Sequence, residues 1–156
     1  MFNILNRFLG NDNQPVSGDL TGNKELYIAL AAILIEMATV DGQFSKSEKQ
    51  LIIEILQNEF HLSREESREI EDHANTELNG SIDLWHFTNL INEKYPPEKK
   101  IRILEYIWKI IYTDENLNDH EDYLVHKLSK LLNLPHSQLI ETKLRIKNQM
   151  SEKSNQ

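Results

Sequence analysis

A nineteen-residue pattern occurs twice in this chain. Ala38 to Leu56, ATVDGQFSKSEKQLIIEIL, is matched 73 positions later by Ile111 to Ser129, IYTDENLNDHEDYLVHKLS. Asp41, Phe44, Ser45, Glu48, Leu51, Ile52 and Ile55 fall opposite Asp114, Leu117, Asn118, Glu121, Leu124, Val125 and Leu128. In each copy an apolar helical stretch runs into an Asp, crosses a short turn and restarts at a small polar residue with Glu three positions on. That restart is the signature of a capping box, in which the cap side chain and the Glu satisfy each other's free backbone N–H groups. The pattern predicts two related helix-turn-helix hairpins, and hence an all-α chain built on an internal duplication.

The remaining helices follow from apolar spacing and punctuation. Lys24 to Val40 places Leu26, Ala29, Leu30, Ile33, Leu34, Met37 and Ala38 at helical intervals, and Ser45 to Phe60 is its partner. Ser63 with Glu66 opens an acidic helix running to Leu78, held down chiefly by Ile70, Ala74 and Leu78, whose acidic residues, Glu71 among them, read as a solvated outer face. Asp83 caps Leu84 to Lys94, and the aromatic residues Trp85, Phe87, Tyr95, Tyr106, Trp108 and Tyr112 are spaced as core and rim residues. Pro96 and Pro97 stop that helix and start Glu98 to Thr113, whose many Ile and Leu residues mark it as the expected central helix. Asn118 to Leu132 and a closing helix, Pro135 to Met150, complete a single domain of seven to eight helices spanning 24–150.

Outside that domain, Met1 to Gly10 (MFNILNRFLG) sets Phe2, Ile4, Leu5, Phe8 and Leu9 against Asn3, Asn6 and Arg7 as a short amphipathic segment. It is too short to span a membrane and has no cleavage site. Two roles fit it: docking on the domain's own groove, or anchoring to a membrane surface or partner. Residues 11–23, with Pro15, Gly18 and Gly22, read as a flexible linker. Residues 151–156 read as a disordered tail.

Composition narrows the function classes. With 25 acidic and 17 basic residues, a formal charge of -8 and a mean hydropathy of -0.54, the chain lacks the basic surface that nucleic acid requires. It has no cysteine, which excludes disulfides, thiolate metal sites and cysteine nucleophiles and fits a cytoplasmic protein. No glycine-rich phosphate loop or nucleophile elbow is present, so no catalytic residue, small-molecule substrate or organic cofactor is assigned and the chain reads as a non-enzyme.

Carboxylates are the one chemical resource the repeat repeats. Asp41 and Glu48 flank one turn, Asp114 and Glu121 the other, and oxygens brought together from two turns suit a hard divalent cation such as Ca²⁺ or Mg²⁺. Against this, Ser45/Glu48 and Asn118/Glu121 are fully explained as caps, and each Asp as a turn former. Asp114, Asn116 and Asn118 alternate like the start of an EF-hand loop, but Glu121 comes seven residues after Asp114 rather than eleven and the glycine is missing. His120-Glu121 begins like a zincin motif, but position 124 is Leu, so that motif fails. The other histidines, at 61, 73, 86, 126 and 136, have no ligand spacing.

The run LAAILIEMATVDGQFSKSEKQLI, followed by DLWHFTNLINEKYPPEKKIRILEYIWKIIYTDENLNDHEDYLVHKLSKLLNL, resembles the tellurite-resistance TerB and TerB-like domains of bacteria. The resemblance covers about Leu26 to Leu144, and its most specific marks are the paired Asp-turn-Glu units around Asp83 to Thr88. It implies an all-helical fold, a role in metal or oxyanion stress, and a cation role for Asp41 and Asp114. Where TerB-like units read Asp-Gly at both turns, the second turn here reads Asp114-Glu115. The expectation is therefore a non-enzymatic, cation-binding adaptor with a protein partner. The rival is a membrane-peripheral scaffold recruited through Met1 to Gly10, with no metal.

Overall fold

Between Leu26 and Ile35 the chain carries no charged residue, and this run becomes the middle of the molecule. The computed structural model describes residues 23–42, 44–80, 82–113 and 117–154. Seven α-helices and no strand lie among them: α1 Lys24–Thr39, α2 Lys46–Phe60, α3 Arg64–Asn79, α4 Leu84–Lys94, α5 Pro97–Thr113, α6 Asp119–Leu131 and α7 His136–Ser154. The fold is all-α, and no helix among the described residues is long and apolar enough to cross a membrane.

A helix that is apolar all round has no face to offer water, so it must be enclosed. In α1, 12 of 16 residues are buried, and α2, α3, α4, α5 and α6 all pack on it. Ala29, Ala31 and Ala32 are fully buried and let the surrounding helices approach closely. Replacing an enclosed residue such as Leu30 by Ala typically costs about 2–5 kcal/mol.

The expected central helix, 98–113, is therefore not the centre. Its large apolar side chains are as numerous, but Lys99, Arg102, Glu105 and Lys109 interrupt them and confine burial to one broad face. That face carries Ile103, Leu104, Ile107, Trp108, Ile110 and Ile111.

Pairings set the directions. Tyr27 near the start of α1 packs on Phe60 at the end of α2, with ring centroids 4.1 Å apart, so the two helices are antiparallel. Glu59 near the end of α2 meets Arg102 and Tyr106, while Ser47 near its start shares a groove with Thr113, so α2 and α5 are antiparallel too. It follows that α1 and α5 run the same way and end at the same end of the molecule. Against α5, α7 runs antiparallel, fixed by Trp108 to Thr142 and by Glu105 to Arg145.

Two sequence expectations change at the edges. Helix α7 runs on to Ser154, so the first four residues expected as a tail are helical. Within it Leu139 and Ile146 pack inward, but Ile140 and Leu144 face outward. Trp85, expected in the core or its rim, is 60% exposed. The amphipathic segment 1–10, nearly all of the linker, and the final two residues lie outside the described residues.

Candidate functional site

The first turn begins where α1 ends. Gly42 donates its N–H to the Thr39 carbonyl at 2.9 Å and sits at φ 85°. A Cβ there would meet nothing within 4 Å, so the backbone angle alone selects glycine. Asp41 beside it is exposed. Ser45 then takes an extended conformation and its Oγ accepts from the Glu48 N–H at 3.1 Å, while Glu48 Oε1 accepts from the Ser45 N–H at 3.1 Å.

The second unit repeats this at the start of α6. Asn118 Oδ1 accepts from the Glu121 N–H at 2.8 Å, and Glu121 Oε1 accepts from the Asn118 N–H at 3.1 Å. Its Asp114 lies outside the described residues. A third box, Ser63 with Glu66 at the start of α3, has the same two bonds at 3.0 and 2.9 Å.

The three boxes differ in one respect. Glu48 and Glu121 are 2% and 3% exposed, whereas Glu66 is half-buried. Enclosing a carboxylate is costly unless its oxygens are satisfied, and the cap bonds supply part of that demand. Burial is thus specific to the two units that also carry an Asp. Among the described residues no three His, Asp or Glu side chains come together as a metal-binding group, so Asp41, Glu48 and Glu121 do not form a cluster by themselves.

The histidines hold one pair that spacing did not reveal: the His126 and His136 rings lie 5.8 Å apart across the α6 to α7 junction. His126 Nδ1 is 2.7 Å from the carbonyl of Asp122.

Two polar clusters were not visible in the sequence. At the end of α2, Glu59, with its side chain 5% exposed, accepts from the Tyr95 hydroxyl at 3.0 Å and from the Tyr106 hydroxyl, and lies 3.4 Å from Arg102 Nε. Burial, reinforced by this carboxylate, pushes the ionisation of both phenols well above the ordinary tyrosine range. The partners come from α2, α5 and the α4 to α5 junction, 36 to 47 residues apart, beyond any local pattern.

The second cluster corrects the reading of α3 as a solvated face. Ser67, Ile70, Glu71 and Ala74 form its buried stripe. Glu71 Oε1 lies 3.6 Å from Lys49 Nζ, while its other oxygen and the Ser67 hydroxyl have no hydrogen-bond partner among the described residues. Burial raises the Glu71 carboxyl above its ordinary value. Ile70 and Ala74 are the apolar members expected from the sequence; Ser67 and Glu71 join them at the helical intervals 67, 70, 71 and 74, and an apolar count cannot see these two.

Comparison with known proteins agrees with this architecture. A solved structure of a protein of unknown function from Porphyromonas gingivalis W83 superposes with a TM-score of 0.60 at 19% identity, covering 80% of this chain and 89% of that one. At that identity the likeness speaks for the fold alone. No curated protein matches the chain. The family model described as "Tellurite resistance protein TerB" matches residues 27–144, which takes in both capping-box units and all of α2 to α6. The chain belongs to the TerB family.

Proposed function

We propose that this TerB-family chain is a non-enzymatic cytoplasmic adaptor that binds a divalent cation, Ca²⁺ or Mg²⁺, through Asp41, Glu48, Asp114 and Glu121. Its role lies in a bacterial stress response of the tellurite or oxyanion type, exercised through a protein partner. One observation carries the cation reading: Glu48 and Glu121 are enclosed where the equivalent Glu66 is not. The shared end of α1 and α5 also supports it, because it puts the residues that precede both turns on one side of the molecule. Oxygen-only donors of this kind match hard cations rather than zinc or copper.

Thermal unfolding of metal-stripped protein against Ca²⁺, Mg²⁺, Mn²⁺ and Zn²⁺ tests the reading. An ion binding only the folded state at a hundred times its Kd adds about 2.7 kcal/mol. That raises the midpoint by about 5–11 °C for a chain of this size. The rise is expected with Ca²⁺ or Mg²⁺ and is expected to vanish in a folded Asp41→Ala, Asp114→Ala double variant. A rise that survives the double variant, or no rise with any ion, refutes the site.

A further inference from the structure

Between α2, α5 and α7 the surface opens into a groove of about 440 Å³. Leu51 and Ile55 of α2, Met150 of α7 and the ring of Tyr106 supply its apolar lining, and Glu54 and Lys109 its charges. Ser47 and Asn58 mark its length along α2; eleven positions at 1.5 Å each make about 16 Å, or three helical turns. Ser47, Asn58, Thr113 and Gln149 complete the lining, and a trough of this mixed kind over three turns can receive a helix with one apolar and one polar side. Its wall is pre-set, because the Glu59 carboxylate holds the Tyr106 hydroxyl and Lys109 Nζ lies 5.8 Å from the ring centroid.

We propose that this groove is the docking surface for the chain's own segment Met1 to Gly10. These ten residues lie outside the described part of the chain; wound as a helix, they would span about 15 Å, the length of the groove. Phe2, Ile4, Leu5, Phe8 and Leu9 supply apolar side chains for the trough. The tether also fits. Tyr27 packs on Phe60, near the same end of α2 as Asn58 but on the opposite face of that helix, so the linker has to pass around α2 to reach the groove. The thirteen residues 11–23 reach up to about 45 Å when extended, more than the groove's length, so the segment can lie in either direction. A tether this short holds it at an effective concentration of the order of millimolar, and modest affinity then suffices to keep the groove filled.

The chain has no cysteine, so Asn6→Cys provides a unique site for a nitroxide on the polar side of the segment. In dilute full-length protein the label is expected to broaden the methyl signals of Leu51, Ile55 and Met150 severalfold relative to the reduced label, and to spare Leu84 on α4. Leu51→Glu in the same labelled chain is expected to restore the Ile55 and Met150 signals with the rest of the spectrum kept. Absence of broadening in the groove overturns the proposal. So does broadening that appears only when spin-labelled chains are mixed with isotope-labelled ones, since the occupant is then a second copy. If Leu51→Glu fails to fold, the labelled parent and the mixed sample still decide.

Discussion

The indole N–H of Trp108 donates to the hydroxyl of Thr142 at 3.1 Å, and both side chains are wholly enclosed between α5 and α7. Thr142 in turn donates to the Gln138 carbonyl at 2.7 Å, so the hydroxyl is used in both senses. Thr142→Val keeps the shape and strands the indole donor, at a cost of about 1–3 kcal/mol. The expected outcome is a midpoint lower by several degrees in thermal unfolding, with Thr142→Ser much closer to the parent. Equal losses in the two variants would mean that packing, and not the hydrogen bond, holds the pair.

Glutamine substitution separates the two roles of the turn glutamates. In Glu48→Gln and Glu121→Gln the amide oxygen still accepts the cap N–H, so each box persists while its charge is lost. Without metal, little change in stability is expected; with Ca²⁺ or Mg²⁺, the added stabilisation is expected to shrink. Glu66→Gln serves as the reference and is expected to leave the cation response intact. Ser45→Ala, by contrast, removes a cap and is expected to cost about 1 kcal/mol with or without metal.

Glu71 makes stability depend on pH in a defined direction. Its carboxyl is raised from 4.5 by burial, so the fold prefers the neutral form. The contribution is fully present below the unfolded value and is lost as pH rises through the folded one. Lys49 offsets this only weakly, because that side chain is 57% exposed. Glu71→Gln is therefore expected to unfold at a higher temperature than the parent at pH 7, with the difference closing as pH falls toward 4.5. A difference independent of pH would refute the assignment.

Tyr95 and Tyr106 are expected to ionise late. Both phenols are raised by burial and by the Glu59 carboxylate, so their contribution to stability holds below the ordinary value of 10 and fades as pH climbs through the folded one. Ultraviolet difference titration of the five tyrosines is expected to show a late phase coincident with unfolding. Tyr95→Phe with Tyr106→Phe is expected to remove that phase and to cost about 1–3 kcal/mol at neutral pH, since Glu59 loses two donors while buried.

The parts of this fold legible in the sequence were those governed by neighbouring residues. Ser45 with Glu48, Ser63 with Glu66, Asp83 and Asn118 announce helix starts because a cap bond spans only two or three positions. Burial is decided by what arrives from elsewhere. Counting large apolar side chains favours α5 over α1, since alanines such as Ala31 and Ala32 add little to such a count yet are fully buried. Glu71 reads as solvated in the sequence because its neighbours Glu69 and Asp72 are acidic, yet it lies one turn after Ser67 on the inward stripe. Glu59 is silent for a different reason: its three partners come from α5 and from the α4 to α5 junction, which meet the end of α2 only in the folded chain. At the candidate site the four carboxylates could be named from the repeat, but the enclosure of two of them could not.

Because α1 touches five other helices, its amides have no private route to water. None of them is freed unless most of the surrounding helices leave together, so their hydrogen exchange should report the opening of the whole domain. Helix α7 stands at the other extreme, held chiefly by α5. It can detach while the rest stays closed, and its amides should exchange first. Native-state exchange in rising denaturant is expected to rank the two helices in that order, dividing the molecule into a late-opening trunk and a lid that unlatches at Trp108.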